Sequence, residues 1–88
     1  MSLETRVIAL ARRLEDRLHN IASPIELARY GEPAVAAEIL LDNLYEFDVR
    51  LTADELDICK QLAADLRLAP SYVDILYALP RPGDRRRR

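Results

Sequence analysis

Gly31 and Gly83 are the only glycines in a chain of 88 residues, and so little freely turning backbone obliges the sequence to fold as long regular elements. Pro24, Pro33 and Pro70 each stand just after a break in the apolar pattern, where a proline can occupy the first turn of a helix without removing a needed donor. No stretch alternates with period two and the β-branched residues are scattered, which leaves helices packing on helices. The chain therefore reads as all-α. The expectation is a small single-domain bundle of four to five helices over residues 1–79, with a disordered, Arg-rich basic tail over 80–88.

Ser2 is placed to cap a first helix in which Leu3, Val7, Leu10, Leu14, Leu18 and Ile21 recur every three or four residues. Ser23-Pro24-Ile25-Glu26 reads as a second start, with Ser23 as cap, Pro24 at the first helical position and Glu26 closing a capping box. Gly31 should end that short helix in a left-handed cap. Pro33 opens a third helix to about Phe47, with Ala36, Ile39, Leu40, Asn43, Leu44 and Phe47 on one side. Glu38, Leu41, Asp42 and Tyr45 fall on the other. Thr52 and Glu55 form a capping box for a fourth helix, with Leu51 and Leu56 as a hydrophobic staple and Leu56, Cys59, Leu62, Ala63 and Leu66 facing inward. A last short helix, Tyr72 to Leu79, is expected to make contact through Val73, Leu76 and Tyr77.

The net charge of −2 conceals a division along the chain. Five arginines, Arg81 and Arg85 to Arg88, lie in the last nine residues beside one acid, Asp84, which leaves eight bases and fourteen acids in the first 79 residues. Within that acidic body, Glu26 to Asp57 holds nine carboxylates against Arg29 and Arg50. Such a block repels nucleic acid and draws basic partners through its field.

The residues offer little chemistry. One His and one Cys, forty positions apart, make no metal motif, and there is no glycine-rich phosphate loop, so neither a metal nor a cofactor is expected. His19 suits the negative end of the first helix, and Cys59 sits in the middle of an apolar face as a small core residue. A nucleophile or oxyanion hole would need strained backbone that a helical chain with two glycines does not supply, so the chain is not expected to be an enzyme. Ser23 to Leu40 could be a helix-turn-helix, but its second helix carries Glu38, Asp42 and Glu46 and no cation, which opposes DNA recognition. No run of about 18 apolar residues is present, and charged residues stand where a signal peptide has its apolar segment, so the protein is expected to be cytoplasmic and off the membrane.

One surface rises above this background. Glu38, Leu41, Asp42 and Tyr45, at i, i+3, i+4 and i+7, put a ring, an aliphatic side chain and two carboxylates on one stripe, and Glu46 adjoins it. The alternative is that Leu41 and Tyr45 contact another helix, because a central helix can be apolar on two sides. Tyrosine among acids is the composition of a surface that steers in a basic partner and anchors it with a ring.

Gly31-Glu32-Pro33, then Ala37-Glu38, then the run Leu41-Asp42-Asn43-Leu44-Tyr45-Glu46-Phe47-Asp48-Val49, followed by Leu51-Thr52, resembles the MafI family of immunity proteins over roughly residues 25–68, about half the chain. The resemblance implies a bacterial protein encoded beside a secreted polymorphic toxin, which binds the toxin domain and protects the producing cell. It fixes no contact residues; Glu38, Leu41, Asp42, Tyr45 and Glu46 come from the charge and aromatic pattern, whereas Gly31, Asn43 and Asp48 read as scaffold of the turns. The expectation is stoichiometric blockade of a basic, nuclease-type toxin by a monomer or weak homodimer. Two other classes compete: a helical adaptor that self-associates through the stripe, and a nucleic-acid module that relies on the Arg tail.

Overall fold

The computed structural model describes residues 1–18 and 20–80, so His19 and all of the Arg-rich segment 81–88 lie outside the described residues. Five helices follow one another: α1 (Leu3–Arg13), α2 (Ala22–Arg29), α3 (Pro33–Glu46), α4 (Ala53–Asp65) and α5 (Pro70–Ala78). No strand occurs among the described residues. α3 is the hub, packing against α2, α1 and α5, while α4 packs against α1 and α5. One continuous core results, from Val7, Leu10 and Leu14 through Leu40, Leu41 and Leu44 to Leu62 and Leu76. None of the helices is long and apolar enough to cross a membrane.

Helix starts follow local chemistry at four places. The Ser2 hydroxyl accepts from the Thr5 N–H at 3.0 Å, and Pro33 and Pro70 each open a helix that has no side-chain cap. At α4 the capping box is complete, with Glu55 N–H donating to Thr52 Oγ1 at 3.1 Å and Thr52 N–H donating to Glu55 Oε1 at 2.9 Å. Such a cap contributes about 1 kcal/mol.

Helix ends show a regularity that composition hides. α2, α3 and α4 all close in the same two-bond motif, each around a residue in the left-handed region: Gly31 at φ 84, Asp48 at φ 52 and Arg67 at φ 57. In each case two amides fold back on the last turn, as Glu32 to Leu27 O and Gly31 to Ala28 O, Val49 to Leu44 O and Asp48 to Tyr45 O, and Leu68 to Ala63 O and Arg67 to Ala64 O. Gly31 meets the requirement without strain; Asp48 and Arg67 meet it at a cost of about 1 kcal/mol each. Asp48 is thus a brace of the α3–α4 turn, and that turn is closed by backbone bonds from Phe47, Asp48 and Val49.

Four expectations are corrected. The first helix ends at Arg13, not near Ile21: beyond it Glu15 and Arg17 donate to Arg12 and Leu14 carbonyls three residues back, a tightened turn that keeps Leu14 and Leu18 in the core while bending the chain toward α2. Ser23 does not cap α2; Asn20 Oδ1 accepts the Ala22 N–H at 3.1 Å, and Pro24 is packed inside the first turn. Phe47, placed on the inner side by the helical wheel, is the C-cap of α3 and is 43% exposed. Tyr77 is 62% exposed, with the Lys60 ammonium 4.9 Å from its ring centroid, so of the three expected contacts of α5 only Leu76, buried, and Val73, partly buried, reach the core, joined by Leu79 at the C-cap.

Candidate functional site: the acidic face of the third helix

α3 is surrounded on three sides, and that decides which part of the expected stripe is available. Leu41 is only 4% exposed and shares the core with Val7, Ala37, Leu62 and Leu68, so it is scaffold and not a contact residue. The cause is the packing of α3 against Val7 of α1, Leu62 of α4 and Leu68 in the turn after α4, which covers the arc of the wheel that two-sided amphipathicity left ambiguous, while α5 adds a further seam on α3. Glu38, half-buried, and Asp42, exposed, border the same seam. Their charges bear on Tyr72 in the first turn of α5: its phenol pKa is raised, first by Asp42, then by partial burial, then by Glu38. Tyr45 and Glu46 remain outside, the Tyr45 side chain 56% exposed. The structure therefore brings together Asp42, Tyr45 and Glu46, with Asp48 one turn beyond and Glu38 at the covered margin.

The electrostatics of this face are one-sided. From Pro33 to Val49 the sequence contains no Lys or Arg. Among the described residues no ion pair reaches Glu38, Asp42, Glu46 or Asp48. Glu46 and Asp48 also sit at the C-terminal end of α3, where the helix dipole is negative and no basic residue occupies the last turn. An acid there costs roughly 0.3–1 kcal/mol where a cation would stabilise. Local stability does not account for these charges.

Across the α1–α4 seam, by contrast, acids and arginines are paired. Along the α1–α4 seam, Arg6 meets Asp65 at 2.8 Å and Arg13 meets Asp54 at 3.1 Å. At its centre lies Glu55, 3% exposed, which accepts from both Arg17 terminal nitrogens at 2.9 and 2.6 Å and from Arg13 Nε at 3.4 Å. Arg17 also donates to the Arg50 carbonyl at 3.1 Å. The forked guanidinium holds the Glu55 carboxyl well below its usual range, at about 2, against the opposing effect of burial. Sequence reading assigned Glu55 only its capping role; nothing local signals an arginine 38 positions away.

Two concavities lie among the helices of the described residues. The void between α1, α3 and α4 is about 10 Å³, at the lower limit of what a single water needs, and is lined by aliphatic side chains and Cys59. Burial, with the nearby charge of Glu55 second, pushes the Cys59 thiol up to about 12, which leaves it un-ionised at neutral pH. An open groove of about 410 Å³ runs between α1 and α4, floored by Ala9, Leu10 and Ile58, but its rim arginines, Arg6 and Arg13, are already engaged by Asp65 and Asp54. The described residues contain no group of three His, Cys, Asp or Glu arranged to hold a metal ion.

Comparison with family models, with curated proteins and with solved structures returns no match to this chain.

Proposed function

We propose that the protein is an immunity protein: a cytoplasmic, stoichiometric blocker of a basic bacterial toxin domain, engaging it through Asp42, Tyr45 and Glu46, with Glu38 and Asp48 at the rim. The observation that carries this reading is the exposed Tyr45 ring set among carboxylates that have no counter-charge among the described residues. A nuclease-type toxin presents cations where phosphates bind, and an acidic face with an aromatic anchor can occupy that groove in their place. The MafI-like segments contain these same side chains, Glu38 in the Ala37-Glu38 pair and Asp42, Tyr45, Glu46 and Asp48 in the run over residues 41–49, and the resemblance is the only support for the polymorphic-toxin setting. The remainder of the run is structural: Leu41 and Leu44 are core, and Asp48 and Val49 close the turn.

A binding surface of this kind needs no strained backbone, metal or pocket. It needs a rigid helix that presents its ring and charges at fixed spacing, which α3 supplies because it is clamped by α1, α2 and α5. The expected interface is of standard size, on the order of 1,600 Å² in total. The test is co-expression with the toxin domain encoded immediately upstream, scoring cell survival and co-purification. Survival with a 1:1 complex, both lost in Tyr45→Ala plus Asp42→Lys while the helical circular dichroism is unchanged, is the expected result. Death of cells expressing the wild-type pair would overturn the reading.

A further inference from the structure

α1 and α4 run antiparallel, since Arg6 meets Asp65 at 2.8 Å and Arg13 meets Asp54 at 3.1 Å. The two arginines stand two turns apart on α1, about 10 Å, and between the pairs lies the open groove of about 410 Å³ floored by Ala9, Leu10 and Ile58. Its mouth faces solvent, for Ala9, Arg13 and Gln61 are exposed, and the single methyl of Ala9 leaves room for a second surface to approach. The walls carry opposite charge: Arg6 and Arg13 on the α1 side, Asp54 and Asp65 on the α4 side. Neither wall is spent by these pairs. Arg13 donates from Nε to Glu55 and from Nη2 to Asp54, which leaves Nη1 without an acceptor among the described residues, while Asp54 accepts through Oδ2 alone.

An apolar floor between one cationic and one anionic wall is complementary to a copy of itself. Two face-to-face two-fold arrangements keep the helices of two such surfaces aligned. An axis across the helices sets Arg6 over the partner's Arg13 and Asp54 over the partner's Asp65, like on like. An axis along the helices sets Arg6 over the partner's Asp65 and Arg13 over the partner's Asp54. We propose that the α1–α4 groove is the contact between two copies of this chain related by the second axis, with the floors meeting at the centre and Arg–Asp contacts shared between copies at both ends. The surface uses neither Asp42, Tyr45 nor Glu46, so it is independent of the function proposed above. A face one helix long and two wide offers on the order of 400 Å² per copy, about half of a standard interface, so the dimer is weak, with a Kd on the order of 100 µM.

The test is sedimentation equilibrium of the full chain up to about 1 mM, where a dimer of that Kd predominates. Arg6→Asp and Asp65→Arg alone each put like charges across the axis and are expected to weaken self-association about tenfold or more. An equimolar mixture of the two variants restores both contacts and is expected to associate within about threefold of the wild type, an effect that pairing inside one chain does not produce. Ala9→Gln, at an exposed helical position that leaves every charge in place, is expected to weaken the dimer by a similar factor, with unchanged helical circular dichroism. Screening in about 0.5 M salt should weaken it as well. A wild-type chain that stays monomeric at the highest concentration, single variants that associate as well as the wild type, or a mixture no stronger than either variant alone would overturn the inference.

Discussion

The α1–α4 seam and the outer face of α3 are built from the same kinds of charged side chain and use them in opposite ways. In the seam each carboxylate has its guanidinium: Arg6 with Asp65, Arg13 with Asp54, and Arg17 and Arg13 with the buried Glu55. On α3 the carboxylates gather at the wrong end of the helix dipole, around an exposed ring, without a cation among the described residues. The seam lowers the free energy of the fold; the face raises it slightly and leaves a field that points outward. Charge that a fold does not use for its own stability is the best local guide to where another molecule belongs.

Four substitutions and conditions can break or sharpen that contrast. The largest effect on stability is expected at Leu41, which the sequence pattern places on the face and the structure places in the core: Leu41→Ala should cost about 2–4 kcal/mol in urea unfolding. A cost under about 0.5 kcal/mol would return Leu41 to the surface. Glu55→Ala removes the central acid of the seam and half of a capping box, and should cost on the order of 2–3 kcal/mol; guanidinium would not serve as denaturant here, because it screens the pairs being measured.

Acid should act on the seam in the same sense. Glu55 is held at about 2 in the folded chain against an ordinary value of 4.5, so its contribution is complete above the unfolded value and is lost as pH falls from about 4.5 toward 2. Thermal unfolding followed between pH 6 and 2 should therefore show a falling midpoint through that window in the wild type and a shallower fall in Glu55→Gln. The smallest effect is expected on the face. Glu46→Lys replaces an acid with a cation at the C-terminal turn of α3 and should raise stability by roughly 0.3–1 kcal/mol while weakening the hold on a basic partner. Were Glu46→Lys to destabilise the chain, Glu46 would have a partner within the fold, and the contrast would fail.

How much of this was legible in the sequence depends on the range of the signal. Of the features written within four residues, the Thr52–Glu55 box, Pro33 at the head of α3 and Gly31 at the close of α2 were readable, whereas the Ser23–Glu26 box was not formed because α2 starts earlier, at Ala22. Signals that remain periodic across a break were misleading. Leu14 and Leu18 keep the helical spacing and stay buried, so the end of α1 at Arg13 leaves no mark in the apolar pattern. Arg67 adopts the same left-handed cap as Gly31 without being glycine, because the surrounding bonds and the packing of α5 impose it. At the candidate site, exposure of Tyr45, Asp42 and Glu46 followed from the wheel, but the fate of Leu41 depended on how α1 and α4 would sit against α3. That is a tertiary fact, as is the pairing of Arg17 with Glu55.

On the function proposed above, partner binding and stability belong to different charged regions of one small bundle. Isothermal titration of the upstream toxin domain into three chains, with the unfolding midpoint of each, tests it most directly. The account predicts that Tyr45→Ala plus Asp42→Lys weakens binding about 100-fold or more with an unchanged midpoint, whereas Arg13→Ala lowers the midpoint and leaves the affinity within about twofold of wild type. Equal loss of affinity in both variants, or none in the first, would contradict it.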